Sequence, residues 1–330
     1  MIRVEHLSKE YKIARRKPGL RGAAQNLFHR TYDTKAAVCD VSFSIDQGEM
    51  VGYIGANGAG KSTTIKMLCG ILTPTAGEVR VAGIVPYKQR QRNARNIGAV
   101  FGQRTQLFWD IPARESFNLL KHIYQIPQHR FDENLRTFSD VLELEPLFGR
   151  PVRQMSLGEK MRCELAAAFL QDPLIVYLDE PTIGLDVSVK ARIRKFIREM
   201  NRNRKTTVIL TTHDMQDIEE ICSRLIMIDA GRLLYDGDLR SVRQRFGNKR
   251  TIHFDLATQA ADTAMPAQLA PWVLAEWEGR EKVHIQFDAR QTSASDVIAA
   301  MMQSYAVRDL TITDPSIESI VKDIYERGLS

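Results

Sequence analysis

Residues 55–62, GANGAGKS, are a full match to the pattern GxxxxGK[ST], in which each residue type suits phosphate binding. The glycines allow consecutive backbone N–H groups to turn toward an anion without Cβ clashes. A lysine supplies a mobile positive charge for the outer phosphates, and a serine hydroxyl can ligate Mg²⁺. The predicted nucleotide-binding residues of this loop are Gly55, Asn57, Gly58, Ala59, Gly60, Lys61, Ser62 and Thr63.

Two carboxylates, Asp179 and Glu180, follow the apolar run LIVYL further along the chain. Asp179 at a strand end suits a ligand of Mg²⁺, and Glu180 is then placed to polarise an attacking water. An acidic pair after a strand is a weak signal alone, but together with a phosphate loop it indicates phosphoryl chemistry. Kinases, GTPases and motor ATPases share such a loop, so these residues leave the class of enzyme open.

The elements that must position these groups are short apolar strands followed by helices. Met50–Ile54, Leu174–Leu178 and Thr206–Thr212 lack polar alternation, as strands buried on both faces do. Ser62–Leu72 and Met215–Leu225 have apolar residues at helical spacing. Strands and helices that alternate around a phosphate loop predict a parallel sheet with helices on both faces.

Over roughly residues 1–240 the order of motifs resembles that of the ATP-binding subunits of ABC transporters. GANGAGKS is similar to the Walker A loop of that family and IVYLDE to its Walker B strand. The other matching motifs are LSKEY (Leu7–Tyr11), VFGQ (Val100–Gln103), QMSLGEKMR (Gln154–Arg162), GLD (Gly184–Asp186) and LTTHD (Leu210–Asp214). Together these matches are specific, although each one alone could arise by chance.

The resemblance implies a role for each further motif residue. Tyr11 would stack on adenine, Gln103 would contact Mg²⁺ and water, and His213 would sense the γ-phosphate. Ser156 and Gly158 would reach the ATP held by a second ATP-binding subunit, in a head-to-tail dimer whose partner is expected to be an identical chain. The implied ligands are ATP and Mg²⁺, with Ser62, Gln103 and Asp179 near the metal and with Glu180, His213 and Gln103 as the catalytic group.

The signature motif departs from the usual LSGGQ, because this chain reads MSLGE. Leu157 replaces the first glycine and Glu159 replaces the glutamine. The motif uses a serine hydroxyl and backbone N–H groups at a helix start. We expect the contact with phosphate to survive, since Ser156, Gly158 and the following helix are intact.

The predicted fold is α/β: a P-loop NTPase ABC cassette with a parallel-sheet core, an antiparallel β edge and a helical subdomain, followed by a small C-terminal α+β domain. The expected boundaries are 1–240 for the cassette, 104–160 for the helical subdomain with the signature motif, and 250–330 for the accessory domain. Its strands are predicted from the alternating segments TIHFDL, KVHIQFDA and VRDLTITD.

Charge is distributed unevenly over the 330 residues, whose formal net charge is +6. Residues 1–250 carry +12 and residues 251–330 carry −6. Nucleic-acid binding is not expected from the basic run Lys88–Arg95, a predicted solvated connector, because aromatic residues are not interleaved. The basic segment Ile13–Lys35, with a short helix around Ala23–Arg30, is either a solvated loop or a contact with anionic lipid or a membrane subunit.

The apolar runs are too short to predict a membrane span. The charged N-terminal residues do not predict a secretory signal. The four cysteines lack metal spacing and are expected as free thiols in a reducing compartment. Through the resemblance, separate transmembrane permease subunits would hold the chain peripherally at the cytoplasmic face of the cell membrane. The expected function is to power an ABC exporter; the alternative is a soluble ABC ATPase acting on ribosomes or DNA. One cassette without a sustained heptad run favours the transporter, and the cargo is not readable from this chain.

Overall fold

The computed structural model describes residues 1–14, 32–102, 104–260, 263–266 and 268–327. The chain divides into two compact units, Met1–Gly237 and Asp238–Ser330. Among the helices in these ranges, none combines the length and the apolar character needed to cross a membrane.

The larger unit contains two sheets. Its strands in chain order are β1 (Ile2–Ala14), β2 (Tyr32–Ile45), β3 (Met50–Gly55), β4 (Ala76–Val81), β5 (Ile97–Phe101), β6 (Ile175–Asp179), β7 (Thr207–Thr211), β8 (Arg224–Asp229) and β9 (Arg232–Asp238). Six of them form a sheet in the order β5-β6-β7-β3-β8-β9, with parallel pairing from β5 through β8. The side chains of β7 are buried on both faces, as the run of apolar residues predicts for the middle of a parallel sheet.

The larger unit also contains helices that connect its strands. They are α1 (Lys61–Leu68), α2 (Arg90–Asn96), α3 (Ala113–Tyr124), α4 (Gln128–Leu142), α5 (Leu157–Phe169), α6 (Val187–Arg204) and α7 (Met215–Ile221). Short 3₁₀ turns cover Glu145–Leu147 and Val152–Gln154. The N-cap residues of α5, α6 and α7 are Ser156, Asp186 and Asp214. The side chain of each accepts a hydrogen bond from a backbone N–H group in the first turn of its helix.

The second sheet of the larger unit is antiparallel, with the order β2-β1-β4. Ile2 on β1 pairs with Ile45 on β2 and with Val81 on β4. These side chains share one buried core with Val51 and Tyr53 of β3. The antiparallel sheet therefore packs on the strand that leads into the phosphate loop.

The smaller unit has an antiparallel sheet in which β10 (Lys249–Leu256), β11 (Val273–Glu278), β12 (Lys282–Asp288) and β13 (Val307–Thr313) lie in the order β11-β12-β10-β13. Its helices are α8 (Leu239–Phe246), α9 (Ala294–Ser304) and α10 (Ile317–Arg327). Ile252, Phe254, Ile285 and Phe287 alternate with more exposed residues and form the core together with side chains of α9. This alternation is what a half-buried antiparallel strand requires.

The predicted fold class is confirmed, whereas several element boundaries were wrong. The helix predicted over Ser62–Leu72 ends at Leu68, because Gly70 takes a left-handed φ of +76°. The helix predicted over Met215–Leu225 ends at Ile221, and Leu225 belongs to a buried strand. The connector predicted at Lys88–Arg95 contains α2 instead.

The segment Ile13–Lys35 is described only at its two ends. Strand β1 continues to Ala14 and β2 begins at Tyr32, so the ends of the predicted insertion are paired strands rather than loop. The helix predicted around residues 23–30 lies outside the described residues.

Candidate functional site

The phosphate loop connects the end of β3 with the start of α1. Gly58 and Gly60 have φ values of +84° and +107°, in the left-handed region that favours glycine. A Cβ at Gly60 would lie 2.4 Å from the carbonyl oxygen of Ala37, so a larger residue does not fit there. The first backbone N–H groups of α1 have no acceptor within the helix. The loop therefore presents N–H groups and the positive end of a helix to an anion.

Lys61 is the buried cation of this loop, with only 8% of its surface exposed. Its Nζ donates hydrogen bonds to the carbonyl oxygens of Gly55 at 2.6 Å and Ala56 at 3.3 Å. Burial lowers the pKa of the Lys61 ammonium, and the negative charges of Glu180 and Asp179 oppose that shift. A cation surrounded in this way is suited to bind the oxygens of a bound phosphate.

Asp179 stands at the end of β6, opposite the phosphate loop. Its Oδ2 accepts a hydrogen bond from the Ser62 hydroxyl at 3.2 Å, and its Oδ1 accepts one from the Thr211 hydroxyl at 2.5 Å. Hydroxyl and carboxylate oxygens are hard donors of the kind that Mg²⁺ prefers, and Mg²⁺ often takes only one or two protein carboxylates plus substrate phosphates. The Ser62 hydroxyl and the Asp179 carboxylate could therefore hold a magnesium ion, which would supply positive charge beside a bound phosphate.

Glu180 follows Asp179 with a left-handed backbone conformation, φ +57°, which is uncommon for a residue with a side chain. Its backbone N–H donates to the Thr211 carbonyl at 3.0 Å, and its Oε1 lies 3.3 Å from Nε2 of His213. Burial raises the pKa of Glu180, while His213 and Lys61 oppose this shift. A raised pKa brings the basicity of the carboxylate closer to what a general base needs at neutral pH.

These groups line one cleft with a volume of about 720 Å³. The residues predicted from the sequence that line it are Asn57, Gly58, Gly60, Lys61, Ser62, Thr63, Asp179, Glu180 and His213. The loop, the two carboxylates and the histidine come from separate parts of the sequence, and the parallel sheet brings them together because β3, β6 and β7 end at the same edge.

Other predicted residues lie elsewhere. Gly55 ends β3, where a Cβ would meet the Ile228 carbonyl oxygen at 2.5 Å, and Ala59 is buried in the core. Tyr11 lies on β1 with its ring partly exposed and the Lys9 ammonium 5.5 Å from the ring centroid. Gln103 lies outside the described residues.

Ser156 and Gly158 lie at the start of α5. The Ser156 Oγ accepts a hydrogen bond from the Glu159 backbone N–H at 3.3 Å, and Oε2 of Glu159 accepts one from the Ser156 N–H at 2.8 Å. This reciprocal pair is a capping box, in which glutamate and glutamine both serve. Oε1 of Glu159 also accepts a hydrogen bond from Arg150 at 2.5 Å. Glu159 therefore replaces the usual glutamine without loss of the helix start.

Leu157, the other departure from the usual signature, packs near the turn that contains Gly184. A Cβ at Gly184 would lie 3.2 Å from Cδ2 of Leu157, and Gly184 itself has a φ of +69°. Leu157 remains 48% exposed. The leucine is therefore accommodated beside a glycine, and its exposed part enlarges the apolar surface at the start of α5.

We expect Glu159→Gln to lower the free energy of unfolding at neutral pH by less than about 1 kcal/mol, because the capping box remains and only a partly exposed ion pair is lost. The Ser156 N–H and the Arg150 guanidinium lower the pKa of Glu159 below its usual 4.5. A carboxylate with a lowered folded-state pKa stabilises the protein above its unfolded-state pKa, and the effect is lost as the pH falls through the folded-state value. Urea unfolding at several pH values should show the difference between the two proteins shrinking below pH ~4.5. A difference that grows on acidification would contradict this reading.

Sequence reasoning missed residues that line the cleft or support it from behind. The Thr211 hydroxyl orients Asp179, and only the parallel register that pairs the two residues reveals this. Lys66 on α1 and Arg104 add positive charge to the cleft lining. Lys66 follows the phosphate-loop lysine by five residues, which places it on the next turn of the same helix.

A comparison with known protein families matches residues 38–183 to the family described as "ABC transporter". The chain is 34% identical over 206 residues to the ABC transporter ATP-binding protein NatA of Bacillus subtilis, in a match that covers 62% of this chain and 83% of that protein. It is 36% identical over 208 residues to the Nod factor export ATP-binding protein I of Burkholderia pseudomallei, covering 63% and 68% of the two chains.

Solved structures with a similar fold include an ATP-binding subunit of an ABC transporter, at 25% identity and a TM-score of 0.62 over 74% of this chain and 93% of that one. Another is the dimeric post-hydrolysis state of the ATP-binding cassette MJ0796 bound to ADP and Pi, at 25% identity and a TM-score of 0.61 over 73% and 99%.

Proposed function

The chain belongs to the family of ABC transporter ATP-binding proteins, and on that premise we propose that it powers an exporter whose membrane-spanning subunits are separate chains. As a member of this family the chain binds and hydrolyses ATP. The main support for the assignment of individual residues is the single cleft lined by Lys61, Ser62, Asp179, Glu180 and His213.

Phosphate binding is assigned to the loop between β3 and α1. Its backbone N–H groups and the Lys61 ammonium bind the β- and γ-phosphates, because both are directed into a partly buried site where charge-assisted hydrogen bonds are strong. Ser62, Asp179 and Gln103 would hold Mg²⁺, which neutralises phosphate charge when it is bound. Tyr11 is assigned the stacking contact with adenine.

Hydrolysis is assigned to Glu180 as the general base that orients the attacking water. The raised pKa of this carboxylate and its distance of 3.3 Å from His213 support the assignment. His213 is half exposed at the cleft and is assigned the contact with the γ-phosphate and the orientation of Glu180.

The second half of each ATP site is assigned to a partner copy. Ser156 and Gly158 belong to a different part of the unit from the residues that line the cleft, and the family motif would use them in trans. The dimeric structure of the related cassette bound to ADP and Pi supports pairing of two chains, and the head-to-tail arrangement of the pair is part of the proposal. The N–H groups at the start of α5 would then face the γ-phosphate of the other chain.

The membrane partner would bind the helical subdomain at 104–160, within a cassette at 1–240, and the accessory domain would be 250–330. The division of the chain after Gly237 supports an end of the cassette near residue 240, and the smaller unit begins at Asp238, before the predicted start at 250. On α3, Phe117 and Leu120 are buried, while Leu119 and Ile123 remain exposed. An apolar pair on the outer face of an amphipathic helix is suited to a partner helix. The proposal includes a peripheral position at the cytoplasmic face of the membrane, where the membrane-spanning subunits would hold the chain.

Export rather than import is supported by one kind of relative, the Nod factor export ATP-binding proteins. The similarity covers the cassette and leaves the cargo unassigned, because in such systems the cargo contacts other chains.

Purification of the tagged chain from detergent-solubilised membranes tests this function. We expect a multi-span membrane protein to co-purify, and we expect Leu119→Asp with Ile123→Asp to weaken the association because charge at an apolar interface is costly. Leu274→Asp changes a leucine on the smaller unit that is even more exposed than Leu119 and Ile123; it is the control and should leave the association intact. Recovery of the chain with ribosomes or DNA, and not with a membrane protein, would support the alternative of a soluble ABC ATPase.

A further inference from the structure

A buried carboxylate, Asp217 on α7, lies behind the cleft. It is 0% exposed, and its Oδ1 accepts a hydrogen bond from Nε of Arg194 on α6 at 2.6 Å. Its Oδ2 accepts hydrogen bonds from the hydroxyl groups of Thr182 and Thr212, the latter at 3.1 Å. Both threonines are themselves almost fully buried. One carboxylate thus joins two loops and a neighbouring helix.

The two threonines belong to the segments that carry the proposed catalytic pair. Thr182 comes two residues after Glu180, and Thr212 comes immediately before His213. The Thr212 hydroxyl also accepts a hydrogen bond from the Asp214 backbone N–H at 3.0 Å, so it closes the turn around the histidine. The carboxylate therefore fixes the two loops relative to each other. In this arrangement Oε1 of Glu180 lies 3.3 Å from Nε2 of His213.

The buried guanidinium of Arg194 balances the charge of Asp217. Arg194 is 4% exposed; its Nη1 donates to Glu220 at 2.7 Å, and its Nη2 lies 3.6 Å from Asp214. Lys190 also pairs with Asp214 at 2.7 Å. A buried ion pair often contributes little to stability compared with apolar residues of the same volume. The structural consequence of this pair is the geometry that it imposes on the two loops and on α6.

We propose that Asp217 is a positioning residue for ATP hydrolysis, which acts through Thr182 and Thr212 to hold Glu180 and His213 in their productive arrangement. This inference rests on the roles proposed above for those two residues. Removal of one threonine hydroxyl takes away one hydrogen bond to Oδ2 of Asp217. The loop that carried the hydroxyl is then free to shift. A displacement of about 1 Å at a reacting group costs up to about 100-fold in rate.

The test compares Thr182→Val and Thr212→Val, which keep side-chain shape and remove the hydroxyl, with Thr182→Ser and Thr212→Ser, which restore it. We expect each valine variant to lower kcat for ATP by about 10- to 100-fold with KM unchanged, and each serine variant to recover most of the rate. Thr206→Val is the matched control, since Thr206 is 2% exposed and its hydroxyl donates to the Pro173 carbonyl at 3.3 Å, at the other end of β7. It should leave kcat unchanged.

Each variant is assayed below its own unfolding temperature. Because Thr182 and Thr212 lie on different loops, one folded valine variant is enough to test the positioning role. Normal kcat in a folded valine variant would overturn the inference, as would an equal loss of kcat in Thr206→Val. Measurement of Glu180→Gln alongside separates the two claims. If that variant is inactive while the valine variants are normal, only the positioning role fails; if it retains full activity, the proposed catalytic assignment fails as well.

Discussion

Glu180→Gln is expected to lower the rate of ATP hydrolysis by about 10²–10⁴-fold while Mg·ATP binding is retained. The amide has the size of the carboxylate but cannot accept a proton from water. Binding should persist because the phosphate loop and Lys61 are untouched by the change. The same variant should accumulate the proposed head-to-tail dimer, since the nucleotide that would hold the two chains together is no longer consumed.

Phosphate release under saturating Mg·ATP measures this effect, and size-exclusion chromatography with nucleotide measures the dimer. Glu199→Gln on α6 makes the same chemical change at a residue whose carboxylate lies 3.9 Å from the Lys195 ammonium, and it should hydrolyse ATP normally. Equal rates for Glu180→Gln and the parent protein would remove Glu180 from the catalytic group.

Lys61→Met is expected to weaken Mg·ATP binding by about 10- to 100-fold, because hydrogen bonds to charged groups contribute roughly 1.5–3 kcal/mol each. Methionine fills similar space without the charge. The variant should remain folded, since the ammonium is desolvated in the parent and burial already lowers its pKa. Isothermal titration calorimetry with Mg·ATP measures the affinity.

Lys195→Met, on the exposed side of α6, controls for a general loss of positive charge. Its affinity should match that of the parent protein. An unchanged affinity in Lys61→Met would mean that the loop binds phosphate through its backbone alone, and the role of the lysine would have to be abandoned.

The sequence predicted the parallel core because its strands are buried on both faces and contain little else than apolar residues. Leu174–Leu178 and Thr206–Thr212 correspond closely to β6 and β7. The order of the strands was not readable, since neighbours in the sheet are distant in the chain. For that reason the hydrogen bond between Asp179 and Thr211 was missed, although both residues lie in segments that were predicted correctly.

Strand β11 was missed for a different reason. It is an edge strand, paired only with β12 within the described sheet, and most of its side chains are exposed. Because none of its side chains is fully buried, its residues show little of the alternation that identified β10 and β12. Leu274 is exposed, whereas Trp277 packs on the core. The apolar residues of this strand therefore do not all mark its inner face.

The start of α5 at the signature motif could be predicted from neighbouring residues alone. The capping box at Ser156 and Glu159 follows from a serine followed three residues later by glutamate, a pattern visible in the sequence. The arrangement around Asp217 was not visible, because its partners Thr182, Arg194 and Thr212 come from three separate segments. Their proximity depends on the packing of α6 and α7 against the ends of β6 and β7.

The most direct measurement is equilibrium titration of the folded chain with Mg·ATP, with Glu180→Gln used so that the nucleotide survives the experiment. The cleft predicts saturable binding of one nucleotide per chain that is strongly weakened in Lys61→Met. If the titration shows no saturable binding while circular dichroism and thermal unfolding show an intact fold, the assignment of this cleft to ATP is wrong.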